Sequence, residues 1–195
     1  MKLGGISESV QGSYLTARVT ELVRRRATWL IFLYIMESIT VSVIGFFENV
    51  LSSVIALSFF IPLLTATGGN AGSQTATLVI RSLATGEAHR YDFLRIIGKE
   101  LVSSTLLALT IAPVGFGIAY MISHNLLVAS IVSLALPVIV VVASLMGVLL
   151  PFIAMAIRAD PAVISAPLIS TVSDITGLTI YFTIASLLLK TLGLQ

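Results

Sequence analysis

The sequence predicts an all-α membrane protein with five transmembrane helices per protomer, preceded by a short cytoplasmic amphipathic helix. Three observations predict it. Of 195 residues, 57% are hydrophobic and only 10% are charged, against about 25% charged in a soluble domain. The mean hydropathy is +1.06. The apolar residues also come in runs near the length a helix needs to cross a bilayer. These runs are too long and too uniformly apolar for tilted barrel strands. The length suits one membrane domain, so 1–26 reads as a cytoplasmic N-terminal segment and 27–195 as the transmembrane domain.

Residues 1–26 are polar and basic, with no apolar core before Trp29, which excludes a secretory signal. Within them, 13–26 reads either as an amphipathic helix near the membrane or as an anchoring basic flank. The first span is 27–47, with Glu37 inside it. The second starts at 50–64, too short alone, and must take in the polar stretch 65–77. The third is 101–123. The fourth, 126–157, is too long for a straight crossing and is interrupted by Pro137 and Pro151. The fifth is 163–189, opened by Asp160-Pro161-Ala162. Two prolines should free carbonyls by removing an N–H: Pro62 that of Ser58, and Pro167 that of Val163.

Five crossings put the termini on opposite sides, and positive charge selects the inside. With the N-terminus cytoplasmic, one face collects Lys2, Arg18, Arg24, Arg25, Arg26, Arg81, Arg90, Arg95, Lys99 and Arg158. The other receives only Lys190. The expectation is a multi-pass protein, plasma-membrane in location, with its C-terminus outside. Because the basic residues sit between apolar spans, the net charge of +2 gives no reason to expect nucleic acid. The lack of cysteine excludes disulfides, thiolate metal sites and cysteine catalysis.

Asp174 is the one charge in the 27 residues 163–189. A charge near the bilayer centre costs roughly 2.5–3.5 kcal/mol on insertion scales. No base lies deep in any span to offset it, so the carboxylate asks for a cation or stays neutral. Ser170, Ser173, Gly177 and Tyr181 share its helical face at spacings of three and four, leaving room for a hydrated ion. In 62–77, Gly68, Gly72 and Ala76 have the spacing of close helix packing, with Thr65, Gly69, Ser73 and Thr77 as an adjoining stripe. Asn70 and Gln74 are two amides on one face, suited either to ion waters or to helix–helix hydrogen bonds. Glu48 ends the first span as an acidic mouth or a plain boundary residue. Glu37 lies deeper, suited to proton relay, a coupling ion or a neighbouring helix.

Other chemistries find no support. His89 and His124 lie in opposite loops without the spacing of a transition-metal site. The glycine-rich run lacks the Gly-Lys-Ser/Thr ending of a phosphate loop, so no nucleotide is expected. Neither a nucleophile–base pair nor paired acids for an intramembrane hydrolase can be read, so no enzyme and no cofactor are expected.

The run Phe60-Ile61-Pro62-Leu63-Leu64 followed by Gly68-Gly69-Asn70-Ala71-Gly72-Ser73-Gln74 resembles the second-helix signature of the MgtE family of magnesium transporters. Asp160-Pro161-Ala162, Pro167 and the run from Ser173 to Phe182 resemble its fifth-helix signature, and Arg81–Glu87 its cytoplasmic linker. The resemblance implies a homodimer with a central pore lined by the second and fifth helices, related to eukaryotic solute-carrier magnesium transporters. It also implies that Asp174 holds hydrated magnesium as the transported ion. Asn70 and Gly69 would line the inner pathway, Ser170 would offer its backbone, Asp160 would stand at the cytoplasmic entrance, and Glu48 would match the acid ending the first helix. Three departures are visible. The sequence shows neither the family's cytosolic N domain nor its CBS domains, so regulation by that route is not expected. Ala166 stands where some members carry an amide, and Glu37 where a small or apolar residue is usual.

Magnesium is a hard ion that keeps its waters, which suits one acid among hydroxyls and amides. A two-fold axis would pair two copies of Asp174, and closed dimers are the commonest assembly. The leading expectation is a magnesium pore in the lipid bilayer. The alternatives are a sodium- or proton-coupled exchanger using Glu37, and a non-transporting membrane scaffold.

Overall fold

In a computed structural model, residues 18–158, 164 and 166–194 are described, and they are almost wholly helical with no strand among them. The α-helices are α1 (Val19–Phe46), α2 (Glu48–Ser53), α3 (Ile61–Thr85), α4 (Phe93–Ser123), α5 (Leu126–Ala156) and α6 (Ala166–Thr191). Short 3₁₀ turns at Ile55–Phe60 and Arg90–Asp92 lead into α3 and α4. Five of these segments are long and apolar enough to cross a membrane, as expected.

The amphipathic segment expected over 13–26 lies partly outside the described residues. Its part from Val19 onward forms the first turns of α1, which continues unbroken into the first span. The second span begins later than expected. After α1 the chain turns at Phe47, makes α2 and the 3₁₀ turn, and enters α3 only at Ile61. Pro62 therefore sits in the first turn of α3, where a missing N–H costs nothing. The Ser58 carbonyl is not freed, because it accepts the Ile61 N–H. Pro167 likewise falls in the first turn of α6, and Val163 lies outside the described residues. Gly86, at φ 76°, ends α3 in the left-handed conformation that glycine adopts without strain.

The fourth span also departs from expectation. Pro137 and Pro151 lie inside one 31-residue helix rather than interrupting it. At 1.5 Å per residue it is about 46 Å long, longer than a hydrocarbon core of about 30 Å, so its ends reach past the apolar slab. Asn125 caps its start, accepting from the N–H groups of Leu127 and Val128. The third span, α4, starts eight residues before the expected Leu101 and carries Arg95, Lys99 and Glu100 in its first turns.

Helix α5 is the centre of the bundle, buried along most of its length and packed by α3, α4 and α6. Leu57, Phe60 and Leu64 meet Ile131, Leu136 and Ile139 of α5 and Leu178 and Phe182 of α6 in the main core, at the end where α3 begins. A smaller cluster of Val79, Val148 and Phe152 closes the other end. Helix α1 is the most exposed span and leans mainly on α6.

Candidate ion site

The site is built on α3, which presents small residues to two helices at once. The Gly68, Gly72, Ala76 row is buried, as its spacing predicts. Toward α5, a Cβ on Gly72 would stand 2.9 Å from the Ala143 carbonyl, and one on Gly147 would collide with the Gly72 carbonyl. The two main chains touch there, which only glycine permits. Toward α6, a Cβ on Gly69 would lie 2.7 Å from the Ser170 hydroxyl oxygen. A Cβ on Gly72 would lie 3.1 Å from that of Ser173. The second and fifth spans are thereby brought together at the residues named in sequence.

The face of α6 divides. Ser173, Gly177 and Tyr181 turn into the core, with Gly177 against Ile139 and the Tyr181 hydroxyl donating to the Leu57 carbonyl at 3.0 Å. Ser170 and Asp174 are half-buried at the edge. Asp174 Oδ1 and the Ser173 hydroxyl are buried and have no hydrogen-bond partner among the described residues. Unmet buried acceptors of this kind are rare and costly, and here two belong to adjacent residues.

Glu37 reaches the same region. The rings of Phe47 and Phe182 stack at 5.4 Å and fix the level of α1 against α6. With successive spans alternating, these two helices run the same way. Glu37 lies ten residues before Phe47 and Asp174 eight before Phe182, so their depths agree to about 3 Å. The two carboxylates are within electrostatic reach of each other. Thr40, one turn along from Glu37, is only 7% exposed, and its hydroxyl is also unpartnered.

The remaining predicted residues are more dispersed. Asn70 and Gln74 are exposed and line an open groove of about 460 Å³ with Ser73, Thr77 and Leu78. Glu48 is exposed at the start of α2, about 12 Å along the axis from Asp174 by the same count of turns. Asp160 lies outside the described residues. No cluster of three or more His, Asp or Glu side chains forms among the described residues, so the geometry offers no direct chelating cage.

Sequence reasoning missed three features. Glu100 of α4 accepts from the Thr75 hydroxyl at 2.8 Å and ties α4 to α3; its place just before the third apolar run gives no sign of that partner. Gly147 faces Gly72, and a lone glycine inside an apolar run gives no sign of its partner. Tyr181 was visible as a face residue, but its bond to Leu57 depends on the fold of the 3₁₀ turn before α3.

A family profile described as a divalent cation transporter, MgtE, matches residues 61–184. The chain is 42% identical over 177 residues to the magnesium transporter MgtE of Thermus thermophilus, covering 91% of this chain and 39% of that relative. It is 33% identical over 168 residues to the magnesium transporter MgtE of Bacillus subtilis, covering 86% and 37%. With that of Enterococcus faecalis it shares 35% over 169 residues, covering 85% and 37%. The chain therefore spans less than two fifths of the length of these relatives. The profile covers α3 through most of α6, the helices that carry the glycine contacts and Asp174, and on that match the chain belongs to the MgtE family of divalent cation transporters.

Proposed function

We propose that this chain carries magnesium across the membrane through a pore formed by two copies, with the hydrated ion held by Asp174. The observation that carries the reading is the buried, unpartnered Asp174 Oδ1 beside the unpartnered Ser173 hydroxyl. A carboxylate in that position lowers its desolvation cost by meeting a cation, and a shell of ion-bound water supplies donors to both oxygens. Gly69 and Ser170 stand at the close α3–α6 contact, and they are assigned to the wall of the pathway beside Asp174. Asn70 lies on the exposed polar groove of α3, which a second copy would cover and convert into a pathway. Asp160 is assigned to the cytoplasmic entrance and Glu48 to the outer mouth. The basic loops support an N-terminus in the cytoplasm and a C-terminus outside, and the membrane is assigned as the plasma membrane.

One observation favours a coupled exchanger as the second reading. Glu37 is at the depth of Asp174 and within its electrostatic reach, so a second cation there would repel or replace the first. Glu37 also lies outside the span matched by the family profile.

The test is magnesium flux into vesicles containing the purified chain, with and without sodium and proton gradients. Asp174→Asn keeps the shape and removes the charge; flux at the level of empty vesicles with an intact fold is expected. Wild-type flux from that variant would dispose of the site. Flux that depends on a sodium or proton gradient, and loses the dependence in Glu37→Gln, would select the exchanger over the channel.

A further inference from the structure

A cavity of about 650 Å³ opens at the basic end of the bundle, between the turn preceding α4 and the end of α5. Its rim carries Arg90 and Arg158, and its wall is apolar, formed by Phe93, Phe152, Ile153 and Leu149. The rings of Phe93 and Phe152 pack at 5.0 Å and shape its floor. Neither arginine forms an ion pair with any described residue. Arg90 lies over the Tyr91 ring and donates to the Tyr91 hydroxyl, and it faces no carboxylate among the described residues. Arg158 closes α5 in the left-handed conformation at φ 60°, its N–H donating to the Met155 carbonyl at 3.0 Å. That backbone is unfavourable for a branched-Cβ or long side chain alike.

We propose that this cavity binds one anionic glycerophospholipid, with its phosphate between Arg90 and Arg158 and an acyl chain along Phe152 and Ile153. Charge and position select the occupant. Guanidinium groups match phosphate oxygens in a bidentate fork, and basic pockets between transmembrane helices on the cytoplasmic side suit anionic headgroups. Ile153, Ile157 and Leu94 are exposed around the opening, a surface for lipid chains rather than water. A second copy would bring the same basic end and be repelled. The N-terminal segment is a poor complement too, since 1–26 holds Lys2, Arg18, Arg24, Arg25 and Arg26 against Glu8 and Glu21. This site is separate from the α3–α6 contact and does not rest on the transport reading.

Native mass spectrometry of the purified full chain with phosphatidylglycerol or phosphatidylcholine tests it. A phosphatidylglycerol preference on the order of tenfold is expected. The preference should fall to parity in Arg90→Gln/Arg158→Gln, with phosphatidylcholine binding unchanged. Arg158→Gly, which keeps the left-handed backbone and removes the guanidinium, should lose most of it as well. Phe152→Ala, with both arginines intact, should weaken retention of either lipid. A preference that survives in the double arginine variant overturns the proposal. So does displacement of the lipid by inorganic phosphate at equal concentration, because the apolar wall would then contribute nothing.

Discussion

The two sides of α3 make opposite use of small residues. Toward α5, Gly72 and Gly147 put main chain on main chain, and the seam is flanked by the buried Ile139, Ala143 and Ala76. Toward α6, Gly69 and Ser170 are just as close, yet the neighbouring oxygens of Ser173 and Asp174 have no partner. The difference teaches that a glycine row does not itself distinguish packing from passage. What distinguishes them is whether the polar atoms at the contact are satisfied within the protein.

The comparison can be broken or sharpened experimentally. The largest effect is expected at the polar seam, where Asp174→Asn should remove flux and leave the unfolding temperature of the purified protein within a few degrees of wild type. At the dry seam the pattern reverses. Gly147→Ala forces a methyl group against the Gly72 carbonyl and Thr75, and should destabilise by about 3 kcal/mol, the upper part of the overpacking range, measured by reversible unfolding in mixed micelles. A smaller loss, about 1–2 kcal/mol, is expected for Tyr181→Phe, which leaves the buried Leu57 carbonyl without its donor. Flux per folded protein should be unchanged. The finest test is Gly69→Ala, whose new methyl meets the Ser170 hydroxyl. Ser170→Ala should restore stability by about 0.5–1 kcal/mol in a double-mutant cycle. Additivity of the two would show that the pair is not in contact.

The five spans were legible because burial in lipid leaves a one-dimensional record: runs of apolar residues separated by basic loops. Gly68, Gly72 and Asp174 were legible for a related reason, as a small-residue row and a lone charge each violate the background of their helix. The turn before α3 was not. Whether Pro62 breaks a helix or begins one depends on where α3 starts, and the start is set by Leu57 and Phe60 docking on α5 and α6. Pro137 and Pro151 misled in the opposite direction, because packing along α5 holds the helix together through both prolines. Glu100 meets Thr75 and Glu37 comes to the depth of Asp174 only through tertiary contact, and no spacing within their own helices announces it.

The main-chain contact between Gly72 and Gly147 limits how the protein can open. Where two backbones meet, there is no layer of rotamers to reshuffle, so α3 and α5 travel as one rigid strut. Motion within the bundle then falls to α1 and α6, which the Phe47–Phe182 stack joins to each other, so the two would shift together against that strut.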